Sequence, residues 1–283
     1  MSRVTDSTPE PHSPESRSPE PPSPDAAAHG AAHAHFDALN ARLDRIEARL
    51  TPAHGDLAAA EHRVEPAWRR VTQGEERWAS AAAILAVVAI QLLVLPARLV
   101  VQPRWLMPAV ESALLVALVA GNPRRIERGS RLLRSLGLAL IVVIGGSNGY
   151  SAVRLVDGLV RGTEGSAAGP LLLRGGAIWL INVVIFALAY WELDRGGPAA
   201  RAAGERDVPD FLFVQMQSPD LAPPHWEPVF FDYLYLSFTN STAFSPTDVM
   251  PSSLWAKALM MGQSAVSLLT VVLVVARAVN ILG

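Results

Sequence analysis

Five apolar runs separated by polar breaks occupy the chain from Trp78 to its end, and that spacing dictates the class of fold. A membrane-crossing helix needs roughly 20 predominantly apolar residues, with about 17 the lower limit. The runs predict spans at about 78–96, 104–121, 132–156, 171–192 and 254–282; the second is short, carries Glu111 and needs its flanks to reach the required length. Trp78, Trp105, Trp191 and Trp255 stand at run ends, where amphipathic rings favour the interface. Composition agrees, since 50% of the 283 residues are hydrophobic and 18% are charged, a balance too apolar for an ordinary soluble domain. The expected architecture is an all-α polytopic membrane bundle, and the expected setting is the lipid bilayer.

Several function classes fall away on the same reading. A net charge of −2 offers no basic field for nucleic acid. The absence of cysteine removes disulfides, thiolate metal sites and cysteine nucleophiles. There is no Gly-rich phosphate loop, no His-x-x-x-His or His-Glu-x-x-His on an expected helix and no Gly-x-Ser-x-Gly elbow, and no span carries a His. His225 is a lone His in a Pro-rich loop, read as a turn residue. No catalytic residue, no metal and no cofactor is expected. Lys257 is the only Lys among many Arg, and Ala is abundant, a coding bias of GC-rich bacterial genomes.

Before the membrane domain (77–283) come two other regimes. Residues 1–35 repeat Ser-Pro-acid around Ser13, Ser18 and Ser23 and hold nothing able to anchor a core, so disorder is expected. His29, His33 and His35 lie in that tail, where no coordination geometry is fixed. Over 36–72, Phe36, Leu39, Leu43, Ile46 and Leu50 recur at intervals of three and four, the seam of a short coiled coil or of an amphipathic helix. Either form provides a surface for cytoplasmic protein partners or for self-association.

Orientation follows from arginine counts. Arg124, Arg125, Arg128, Arg131 and Arg134 crowd one short loop, which the positive-inside rule places in the cytoplasm. With five spans, the N-terminus and the connection from Glu192 to Ser253 are then cytoplasmic and the C-terminus lies outside. The expected location is a bacterial inner membrane.

The stretch 229–251 is too polar to cross and too apolar to be a plain linker. Tyr235, Ser237, Phe238, Thr242, Asp248 and Pro251 stand in the register of the potassium-channel pore pattern, with Lys257 where the inner helix begins. The segment therefore resembles the pore module of the potassium-channel superfamily, which implies a re-entrant helix and loop in a homo-oligomer, four copies being the first expectation. Ala243 to Thr247 replace the filter, and Phe244 and Pro246 lack the backbone freedom of its glycines, so potassium selectivity is not implied. Thr242, Ser245, Thr247 and Asp248 are the pore-loop candidates. The ending "FDYLYLSF…TD…AKALM…VSLLTVVLVVARAVNIL" also resembles an uncharacterised family of bacterial multi-pass membrane proteins, which implies the architecture and no activity.

Polar residues inside spans complete the candidates. Gln263, Ser267 and Thr270 share one helical face, open to pore lining or to polar packing. Asn148 and Arg154 accompany a Gly145-xxx-Gly149 pair suited to close helix contact. Glu111 calls for a partner, for which Arg154 is the candidate. Two functions follow: an oligomeric channel-like pore not selective for potassium, or a non-conducting membrane scaffold or sensor that recruits partners through the N-terminal segment.

Overall fold

The computed structural model describes residues 39–43, 45, 67–122, 126, 130–164, 167–242 and 248–282. The chain divides into two compact units, Met1–Val64 and Glu65–Gly283. In the first, residues 39–43 and 45 are helical, with Leu39 and Leu43 exposed. Phe36, Ile46, Leu50 and the three tail histidines lie outside the described residues, as do Ser245 and Thr247.

The second unit is mostly helical. Its elements are α1 (Trp78–Leu93), α2 (Leu106–Gly121), α3 (Arg131–Val160), α4 (Ala168–Leu193), α5 (Pro198–Ala202), β1 (Phe211–Phe213), α6 (Val214–Gln217), α7 (Phe230–Ser241), β2 (Val249–Pro251) and α8 (Leu254–Leu282). Among the described residues three helices, α3, α4 and α8, are long and apolar enough to cross a membrane, and α1 and α2 are shorter apolar helices. At 16 residues each, α1 and α2 reach about 24 Å, short of a hydrocarbon core of about 30 Å.

Local chemistry sets the helix ends. Pro96 follows α1, and the Ser130 hydroxyl caps α3 by accepting from Leu133 N at 3.1 Å. The α4 helix stops in the turn Asp194-Arg195-Gly196-Gly197, where φ is positive at Arg195 (50°), Gly196 (88°) and Gly197 (100°). The Asp232 carboxylate holds the start of α7, accepting from Val229 N at 2.8 Å.

Neighbouring long helices run antiparallel. Gln91 bonds Glu111 between α1 and α2, Asn148 bonds the Ile178 carbonyl between α3 and α4, and Gln263 meets Tyr190 while Val274 meets Gly175 between α8 and α4. One end of the bundle, the near end, therefore collects the starts of α1, α3, α7 and α8 and the ends of α2 and α4. Burial identifies the centre. The most apolar stretch of α4 is 61% buried, against 28% for those of α3 and α8. The exposed flanks of α3 and α8 are apolar, with Val142, Val153, Leu268, Leu269, Val272 and Val279 facing outward. Water would penalise such continuous surfaces and a hydrocarbon medium would not.

Candidate functional site

The segment expected to resemble a pore loop begins with the helix α7. It lies against α4 in the opposite direction: Phe230 packs on Trp191 with ring centroids 5.8 Å apart, Ser237 Oγ donates to the Val183 carbonyl at 2.6 Å, and Phe238 meets Trp179 at 5.7 Å. It runs parallel to α8, so both helices start at the near end. Twelve residues carry α7 about 18 Å inward. By Val249 the chain is back beside Phe213, whose ring lies 5.4 Å from that of Tyr233 in the first turn of α7. The return is fixed by an antiparallel pair, Phe211↔Pro251, Leu212↔Met250 and Phe213↔Val249.

The polar face of α8 sits inside this arrangement. Gln263 is fully buried. Its Oε1 accepts from the Tyr190 hydroxyl at 2.5 Å and from Asn240 Nδ2 at 2.8 Å. Its Nε2 faces the Ser237 carbonyl at 3.0 Å, the Ser237 hydroxyl at 2.6 Å and the Ser241 hydroxyl at 2.7 Å. One turn on, Ser267 accepts from Asn182 Nδ2 at 3.0 Å, and Thr270 donates to the Val266 carbonyl of its own helix at 2.8 Å. All three side chains are buried against α4 and α7 or satisfied within α8. In a low-dielectric interior such a satisfied network fixes one geometry, because each unpaired member would carry its full desolvation cost.

The remaining candidates are dispersed. Thr242 closes α7 and donates to the Thr239 carbonyl at 2.9 Å. Asp248 precedes β2 and accepts a hydrogen bond from the exposed Tyr235 hydroxyl. Glu111 is fully buried, but its partner is not Arg154: its Oε1 accepts from Gln91 Nε2 at 3.0 Å, while Arg154 is exposed and donates to the Arg98 carbonyl at 3.3 Å. The reason is topological. Antiparallel α1 and α2 bring Gln91 opposite Glu111, an uncharged donor that a search for opposite charge passes over. Asn148 Nδ2 donates to the Ile178 carbonyl at 3.2 Å. Of the glycine pair, a side chain at Gly145 would make ordinary contact with Ile185 at 3.7 Å, and one at Gly149 would meet nothing within 4 Å.

A second cluster, which no motif in the sequence marks, lies at the near end. Asp194, fully buried, accepts from Asp210 N at 2.8 Å and from the Tyr233 hydroxyl at 2.6 Å. Asp210 in turn accepts from Arg195 N at 3.0 Å and Trp255 Nε1 at 2.9 Å. Glu75 accepts from Trp191 Nε1 at 2.6 Å and Phe230 N at 2.5 Å, and burial pushes its carboxyl above the ordinary value. These acids join the end of α4 to β1, α7 and α8. Their signal in the sequence is weak: Asp194 precedes Arg-Gly-Gly-Pro, Glu75 is one of two adjacent glutamates, and Asp210 is a single acid in a polar connection.

Among the described residues no group of three or more His, Cys, Asp or Glu could hold a metal ion. No protein-family model, no curated protein and no solved structure matches this chain.

Proposed function

We propose that this chain is a non-enzymatic bacterial inner-membrane protein that works as a non-conducting scaffold or sensor, with 229–251 as a re-entrant segment braced within each protomer. One observation carries this reading: the hydrogen-bonding groups of the Gln263 side chain are occupied inside the chain, so the polar face of α8 is not available to line a pore. In this reading α3, α4 and α8 cross the bilayer, the shorter α1 and α2 cross with their flanking residues making up the missing length, the near end is cytoplasmic, and the N-terminal segment recruits cytoplasmic partners. Arg131 and Arg134 at the start of α3 support that orientation by the positive-inside rule.

A second reading, a homo-oligomeric pore with four copies as the first expectation, is favoured by one feature: α7 enters and the chain returns at the same end, as a pore loop does. Backbone that turns at membrane depth must be buried in protein or face water, and an oligomer axis would supply the water. The deciding experiment is ion flux through purified full-length protein in planar bilayers. Flux absent across monovalent and divalent salts supports the scaffold. Unitary currents abolished by Asp248→Asn would replace it with the pore. Insertion is tested separately by reporters: one fused after Gly204 reads cytoplasmic and one at Gly283 reads external, and an external Gly204 reporter refutes the orientation.

A further inference from the structure

Between the near ends of α1, α2, α3 and α4 lies a cavity of about 440 Å³. That volume is within the roughly 300–1,000 Å³ of small-molecule sites. Its mouth and depth differ in chemistry. Arg77, Arg131, Arg134, Glu192 and Glu205 line the mouth, one more positive than negative charge. Ile84, Leu115, Leu140 and Leu188 line the interior. Ile84 is two turns into α1 from Arg77, so the apolar part begins about 10 Å below the charged rim.

The rim is built rather than incidental. Arg77 is buried and fixed in place, its Nε donating to the Asn122 carbonyl at 3.1 Å. Glu192 lies in the combined field of Arg201, Arg134 and Arg77, which works against the cost of its burial without cancelling it. The first turn of α3 reaches the cavity through Ser130 and Arg131, and a helix start adds partial positive charge. Gly137 keeps the wall thin, since a side chain there would come within 3.3 Å of the Glu192 carboxylate.

We propose that this cavity binds an anionic glycerophospholipid. Its phosphodiester lies among Arg77, Arg131 and Arg134, a headgroup hydroxyl donates to Glu192, and part of one acyl chain enters between Ile84, Leu115 and Leu188. A soluble anion would leave the apolar interior unfilled. A zwitterionic headgroup would waste the surplus positive charge, whereas basic pockets between helices on the cytoplasmic side suit acidic headgroups. This inference rests on the membrane reading above and extends it: bound lipid ties the four helices together at the end where the α4 turn, α5 and the arginines meet.

The test is native mass spectrometry of the full-length protein in mild detergent, titrated with phosphatidylglycerol, phosphatidylethanolamine or inorganic phosphate. Phosphatidylglycerol is expected to bind at one site per chain, ahead of phosphatidylethanolamine, and inorganic phosphate is not expected to displace it. Arg131→Gln with Arg134→Gln, both exposed on α3, is expected to weaken it by roughly thirtyfold, on a scale of about 1 kcal/mol per arginine near a lipid surface. The far-end pair Arg154→Gln with Arg161→Gln is expected to leave it unchanged. Equal losses in both pairs, equal retention of the two lipids, or displacement by phosphate at the lipid's own concentration would each overturn the proposal. None of these outcomes touches ion flux or reporter orientation, so a failed lipid site and a failed scaffold reading are told apart.

Discussion

The contact between α4 and α8 changes character along its length. In the near half it is polar: Tyr190 and Asn182 of α4 bond Gln263 and Ser267 of α8, with Asn240, Ser237 and Ser241 of α7 joined to the same side chains. In the far half it is steric: Gly175 lies so close to Val274 that an added Cβ would sit 2.7 Å from its methyl groups. Both solutions suit a medium in which apolar burial between helices gains little, leaving hydrogen bonds and close packing to hold them together. They differ in what they specify. Close packing fixes one distance, whereas the polar half fixes distance, register and the position of a third helix.

The largest effect should come from breaking the polar half. Gln263→Leu removes the acceptor of Tyr190 and Asn240 and the donor to Ser237 and Ser241, all buried. Unpaired buried groups cost about 1–3 kcal/mol each, and partial relaxation should hold the total to about 3 kcal/mol. Reversible unfolding in mixed micelles reads it. A loss no greater than the ~0.6 kcal/mol average of single interhelical hydrogen bonds would mean that packing, not the network, holds this half too.

Next comes the far half. Gly175→Leu forces a side chain into Val274 and should cost about 1–3 kcal/mol, part of which Val274→Ala recovers. Gly149→Leu, facing open space on α3, should stay within about 0.5 kcal/mol. If the two glycine variants cost the same, Gly175 is not a contact point and the steric half of the comparison fails.

That pair of glycines also shows where the sequence is silent. Apolar run lengths are local, so the helices at 78–93, 106–121, 131–160, 168–193 and 254–282 lie close to the expected spans. A Gly-xxx-Gly spacing shows that two small residues share a face, but not that the face meets a neighbour; Gly175, with no such partner, makes the close approach. Gln263, Ser267 and Thr270 were legible as one face for the same local reason. The partners of Gln263 were not, because α7 is placed by the pairing of 211–213 with 249–251, a contact across a connection of nearly forty residues. The acids Asp194 and Asp210 become a cluster only once that pairing exists.

A smaller effect tests how the near end responds to pH. Burial raises the Glu75 carboxyl above its ordinary value of 4.5, although the bonds from Phe230 N and Trp191 Nε1 pull it down. A carboxyl raised in the folded state binds protons more readily there than when unfolded. Its contribution is therefore complete below the unfolded value and is lost as pH rises through the folded one. Glu75→Gln cannot ionise. The fall in stability between about pH 4 and pH 8 should be smaller in the variant than in the unaltered protein, read as a difference of melting temperatures. Equal falls would mean that the two donors, rather than burial, dominate this site.

The smallest effect is expected where a hydrogen bond of the same segment is exposed. Tyr235 and Asp248 link the first half of α7 to the start of β2 across the loop, as Asn240 and Gln263 link α7 to α8, but the Tyr235 hydroxyl stands in the surrounding medium. An exposed pair exchanges one set of solvent bonds for another, so its net contribution is slight. Asp248→Asn retains an acceptor for the Tyr235 hydroxyl while removing the charge, and Tyr235→Phe removes the donor. Both variants should melt within a degree or so of the unaltered protein, far from the loss expected for Gln263→Leu. A drop in both comparable to that of Gln263→Leu would show that the return of the chain to β2 depends on this link, and that the buried seam is not the main brace. If stability holds but Asp248→Asn alters ion flux, the carboxylate serves as a charge rather than a brace, and the segment 229–251 belongs to a pore.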